Sequence, residues 1–217
     1  MKKDIQKKIL KTAIQSFMKN GYEETTIRSL AKELDLAVGN INYYYPKKED
    51  IVKDYHNAVL EAFLSEVTKN TDATSDPWIT YFAAEYSFMS FIATDIPTNT
   101  LYKSFTAVKA LRDFYTEKHQ ELFLSIFKTL PSTKEEIYLS TLAMCSLEFT
   151  LITRFDAYQK DWDFDDIMQH IFETRLSFLH LSLSDYQDII KKSIEKGKSL
   201  SFINDVITTK INETILD

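Results

Sequence analysis

Residues 37 to 50 read AVGNINYYYPKKED. Asn40, Asn42, three consecutive tyrosines (Tyr43, Tyr44, Tyr45), Lys47 and Lys48 all fall inside this one stretch. Asparagine can donate and accept at adenine edges. Tyrosine offers a hydroxyl to phosphate and a ring to a thymine methyl, and lysine pairs with phosphate. That is the chemistry of holding a polyanion and reading its bases rather than of breaking bonds. Residues suited to catalysis are not arranged for it. The four histidines, His56, His119, His170 and His180, form no HExxH or paired metal spacing, and P-loop, GxGxxG and GxSxG patterns are absent. Asp161, Asp163, Asp165 and Asp166 suit a helix-capping loop better than a cation site. The expectation is a protein that is not an enzyme and carries no cofactor or metal.

A short reading surface needs elements to hold it. The chain has 217 residues, 44% hydrophobic and 27% charged, ordinary for a soluble globular protein with a real core. Three Gly and four Pro are too few for the turns of a sandwich or parallel sheet, so the fold class is all-α. Residues 1 to 50 hold 10 Lys/Arg against 7 Asp/Glu, net +3, while the remainder holds 16 against 25, net −9. A basic head on an acidic body suits a polyanion partner for the head alone. Cys145 is single and sits in an apolar run, which rules out an internal disulfide. The start, MKKDIQKKIL, lacks the apolar stretch of a signal peptide, and no apolar run is long enough to span a membrane. A cytoplasmic setting is expected.

Apolar spacing predicts a helix over 4–20, closed by Gly21, and a two-turn helix after a Thr25-Thr26 cap. A third short helix over 38–44 is stopped by Pro46. A longer one, from about 48 to 70, leads onward. Two short helices joined by a tight turn make a helix-turn-helix candidate. Ile41 and Tyr45 would form the floor of the second, and Val38, Gly39, Asn40, Asn42, Tyr43 and Tyr44 its outward face. Gly39 would let DNA approach the backbone closely.

Further on, 78–95 reads as a buried helix. Pro97 and Pro131 are expected to interrupt, with one or two helices between them. Ser132 or Thr133 should cap a helix to about 158, and the acidic loop another to about 183. Ser184-Asp185 should open one that Gly197 closes, before a last helix ending near 215.

Taken in order, Phe17, Gly21-Tyr22, Thr25-Thr26-Ile27-Arg28, Leu30-Ala31, Gly39, Ile41, Tyr44-Tyr45 and Lys47-Lys48-Glu49 make residues 7 to 52 resemble the TetR family of transcriptional regulators. The resemblance covers roughly a quarter of the chain. It implies a three-helix helix-turn-helix domain over 1–48 and a larger helical ligand-binding and dimerisation domain over 49–217. It also implies that Thr26, Arg28, Asn40, Asn42, Tyr43 and Tyr44 face duplex DNA, with Lys47 nearby and Lys48 as a phosphate clamp. Tyr45 would lock the recognition helix to the core. Three positions depart from the family pattern: Asp35 stands where Gly is usual in the turn, Ala37 replaces a polar cap, and Asn42 replaces a tyrosine that often touches phosphate.

The implied function is a repressor that leaves a roughly palindromic operator when a small, largely apolar effector binds the body; activation is the alternative sign, and a helical protein-interaction adaptor or a helical enzyme are the alternatives of another class. The aromatics of 78–158 are candidates for that pocket: Tyr81, Phe82, Tyr86, Tyr102, Phe105, Tyr115 and Phe155, with Met89. The plain alternative is that they are core. Arg112, His119 and Glu148 are the polar residues set within apolar stretches. For the homodimer, the helix near 165–183 carries two apolar stripes, one with Phe172, Leu176, Leu179 and Leu183, and the helix before it adds Phe149 and Ile152. One stripe would meet a second copy, unless the last two helices cover it.

Overall fold

The computed structural model describes residues 2–72, 76–128, 130–155 and 162–211. Among these, all regular structure is helical. The head comprises α1 (Lys2–Asn20), α2 (Ile27–Glu33) and α3 (Val38–Tyr44), and α4 (Lys48–Lys69) runs from it into the body. Ile9, Ala13, Ile14 and Phe17 put one face of α1 fully into the core. Gly21 then turns the chain at φ +87°, its N–H donating to the Phe17 carbonyl at 2.9 Å. The Thr26 hydroxyl caps α2 by accepting from the Ser29 N–H at 3.0 Å. Asp35 makes the α2–α3 turn at φ +53°, so it serves where glycine is usual. Ala37 supplies no side-chain cap to α3.

The body contains α5 (Pro77–Thr94), α6 (Ile96–Ala107), α7 (Lys109–Ile126), α8 (Lys134–Ile152), α9 (Phe164–Phe178), α10 (Leu183–Ser199) and α11 (Ile203–Ile211). Helix α5 is its centre, packed by α4, α6, α8, α9, α10 and α11. Helix α1 packs on α4 and α6, so one continuous core joins head and body.

Several expected boundaries shift. Pro97 starts a helix instead of interrupting one, because in the first turn of α6 its missing N–H has no partner to lose. The stretch between Pro97 and Pro131 holds two helices, broken at Val108, whose backbone is extended. Thr133 caps α8, which ends at Ile152; the expected extension to 158 runs into 156–161, outside the described residues. Asp163 caps α9 through the Asp166 N–H at 2.8 Å, as a capping loop should, while Asp161 lies outside the described residues. Helix α9 stops at Phe178, where His180 takes φ +56°. The last helix is described to Ile211.

Gly197 does not close a helix. It lies inside α10 against α5, where an added Cβ would fall 2.5 Å from Cδ1 of Tyr86. This glycine is a packing requirement between two helices.

Candidate nucleic-acid interface and body cleft

In α3 the floor is Ile41, fully buried, and Tyr45 just beyond the helix is buried too. The Tyr45 hydroxyl donates to Asp54 of α4 at 2.7 Å. Val38, Gly39, Asn40 and Asn42 are exposed, and Tyr43 is 68% exposed. Tyr44 is half-buried; it packs on the core and meets the Tyr43 ring edge-on at 5.1 Å. Thr26, Arg28 and Lys47 are exposed around this face. An added Cβ at Gly39 would meet nothing within 4 Å. Glycine in an open helix position costs about 1 kcal/mol relative to alanine, and no contact within the chain requires it there.

Lys48 is more committed than its sequence position suggests. Its ammonium donates to the carbonyls of Tyr22 at 2.8 Å and Thr25 at 3.1 Å, and sits 3.8 Å from the Tyr22 ring centroid. Burial holds its pKa below the ordinary lysine value, against the pull of Glu23 and Glu49. Two of its three protons are used within the chain, which leaves one for an outside acceptor. The same contacts clip the start of α4 to the segment between α1 and α2.

The body has a cleft of about 350 Å³. Leu60, Phe63, Leu64 and Val67 of α4 form one wall, Tyr81, Ala84, Glu85 and Phe88 of α5 another, and His119, Leu122 and Ile126 of α7 a third. Of the pocket candidates read from the sequence, only Tyr81 and His119 line it. Phe82 stacks on Phe172 at 4.3 Å, Tyr86 donates to Asp165 at 2.8 Å, and Met89, Tyr102, Phe105 and Tyr115 are buried core. Phe155 is half-buried against Phe164. Arg112 is exposed and donates to the Thr106 carbonyl, bordering a separate hollow of about 310 Å³.

From the cleft wall inward the structure brings together polar side chains from four helices. The Nδ1 of buried His119 lies 3.2 Å from Oε1 of Glu85, and the Tyr115 ring stacks on His119 at 3.9 Å. Tyr115 donates to Glu148 at 3.4 Å. Arg175 of α9, also buried, donates to the Met144 sulfur at 3.0 Å, and its guanidinium lies 3.8 Å from the Phe123 ring centroid. Burial and then the neighbouring Glu85 push the Glu148 carboxyl well above the ordinary range. Burial acts on Glu85 in the same direction, but His119 and Arg175 outweigh it and leave that carboxyl lowered. The two carboxyls are thus pushed in opposite directions by one shared environment. Glu85 and Arg175 escaped the sequence reading. A lone carboxylate in the apolar run WITYFAAEYSF was the available signal for Glu85.

Five of the six expected dimer residues are used within the chain. Phe149, Ile152, Phe172, Leu176 and Leu179 are buried, because α5, α8 and α10 pack around α9 and cover that stripe. Only Leu183, 39% exposed, remains available. Among the exposed large apolar residues of the described chain are Tyr138, Leu139 and Leu142 on α8 and Phe178 on α9. The two helices are joined where Ser132 and Ser140 donate to the carbonyls of Leu179 and Arg175.

No helix among the described residues is long and apolar enough to cross a membrane. A search of curated proteins finds no match to the chain. The family model for bacterial regulatory proteins, tetR family, matches residues 9–55, which span α1 to α3 and the start of α4. The helix-turn-helix head is thus similar to that of the tetR family of bacterial regulatory proteins, in a chain whose described residues are all-α.

Proposed function

We propose that the protein is a repressor whose head, residues 1–48, docks α3 in the DNA major groove. In this reading Asn40, Asn42 and Tyr43 contact bases or sugar-phosphate. Val38 and Gly39 allow close approach, Tyr44 supports the reading face, and Thr26, Arg28, Lys47 and Lys48 hold phosphates. The observation that carries it is the division of α3: one residue buried, the rest of the face open, and a glycine whose small size nothing inside the chain demands. The body, residues 49–217, takes a small, largely apolar molecule in its cleft. Helix α4 favours a link between the two, since the same helix supplies one cleft wall and holds Tyr45 through Asp54. A ligand that loosens DNA is loosened by DNA in return, by the same factor. The exposed apolar face of α8 and α9 supports a homodimer, and hence a roughly palindromic operator.

The test is binding to the DNA upstream of the protein's own gene and to random duplex of equal length, across salt concentrations. A preference for the upstream DNA that persists as salt rises supports the reading. Equal affinity for both at every salt concentration overturns it.

A further inference from the structure

We propose that Glu85, His119 and Glu148 form a binding site for one divalent first-row transition-metal ion, at the floor of the body cleft. One ligand atom from each residue can be chosen so that all lie within 4.8 Å of one another, and all three residues are buried. A four-coordinate ion with bonds of about 2.0–2.1 Å spaces its ligand atoms by roughly 3.3 Å. Side-chain adjustments of about an ångström therefore close the set. Three helices, α5, α7 and α8, each supply one ligand, so the site is cross-braced by the fold.

The second observation is what these side chains leave unmet. Oε2 of Glu85, Oε1 of Glu148 and Nε2 of His119 are buried with no hydrogen-bond partner. Leaving one such atom unsatisfied costs about 1–3 kcal/mol, and here three fall in one cluster. Two buried carboxylates this close repel each other, and a divalent cation between them neutralises both charges. Arg175 lowers both carboxyls only through space: its guanidinium makes no ion pair with either and instead meets Met144, Thr141 and the Phe123 ring. An imidazole with two carboxylates suits zinc, manganese or iron(II) better than a thiolate-seeking metal. Glu85 and His119 both line the cleft, which supplies the path of entry, and the remaining coordination positions are left to water or to a cleft ligand.

The inference does not depend on DNA recognition and is tested without DNA. The full-length protein is titrated with cobalt(II), zinc(II) and manganese(II), with magnesium(II) as the hard-cation control. One ion per chain is expected, with visible cobalt(II) bands of a low-coordinate site and displacement of cobalt by zinc. Glu148→Gln, which keeps the shape of the protonated side chain, and His119→Gln should each weaken binding at least tenfold while circular dichroism stays unchanged. Asp163→Asn, in the exposed acidic loop, should leave binding as it was. No binding of any of the three metals overturns the site. So does binding that Asp163→Asn removes and Glu148→Gln does not. If Glu148→Gln and His119→Gln fail to fold, the wild-type cobalt spectrum decides: bands of an all-oxygen octahedral ion overturn the assignment.

Discussion

The hydroxyl of Tyr45 donates a 2.7 Å hydrogen bond to the carboxylate of Asp54 and thereby ties the end of the recognition helix to α4. The ring is buried beside Ile41, so the bond fixes the angle at which α3 is offered to a partner. Tyr45→Phe keeps the ring and removes the bond. It should lower stability by about 1 kcal/mol, read by urea unfolding. Operator affinity should also fall, because α3 is less firmly set. Unchanged affinity would show that Ile41 packing alone orients the helix.

Around α3 the exposed residues should divide into two kinds. Lys47→Ala should weaken binding to all sequences alike and flatten the salt slope by about one unit, without loss of stability. Lys48→Ala should do the same but also destabilise the head, since it removes the links to the Tyr22 and Thr25 carbonyls. Tyr43→Ala and Asn40→Ala should change sequence preference, by roughly 1–3 kcal/mol at a contacted base. Binding measured on a panel of single-base operator variants separates the two kinds. Uniform weakening by all four changes would move the reading face elsewhere.

Leu139 and Leu142 are 49% and 39% exposed on α8, and Phe178 is 43% exposed on α9, which packs against α8. The double change Leu139→Lys, Leu142→Lys should convert a dimer into a species of the 25.3 kDa chain mass with little change in unfolding midpoint. Sedimentation at micromolar concentration reads this. A wild-type protein already sedimenting at the chain mass removes the interface and the palindrome together.

Gly197→Ala should destabilise the body by about 1–3 kcal/mol through overpacking. The Tyr86 Cβ, Cγ and Cδ1 atoms all lie under 3 Å from the added methyl, and the Tyr86 hydroxyl is held by Asp165, so the ring cannot swing away. A thermal shift within experimental error would mean that α10 slides to accommodate it.

The head was legible in the sequence because its instructions are short-range. Gly21, the Thr26 cap, Asp35 in the turn and Pro46 each act on backbone within a few residues, and the spacing of Ile9, Ala13 and Phe17 names a buried face without reference to anything distant. The body was legible only as helices. An apolar stripe such as Phe172, Leu176 and Leu179 says that something must cover it, but burial has no direction. Whether Phe82 of the same chain or a second copy does the covering depends on how α5 and α10 pack. The same holds for Gly197, which as a sequence signal ends a helix and in the fold admits Tyr86. Glu85, His119 and Glu148 lie on three helices, and no local pattern relates them. Only the tertiary packing brings two carboxylates and an imidazole within reach of one ion, because the distances that decide chemistry are set between helices and not along them.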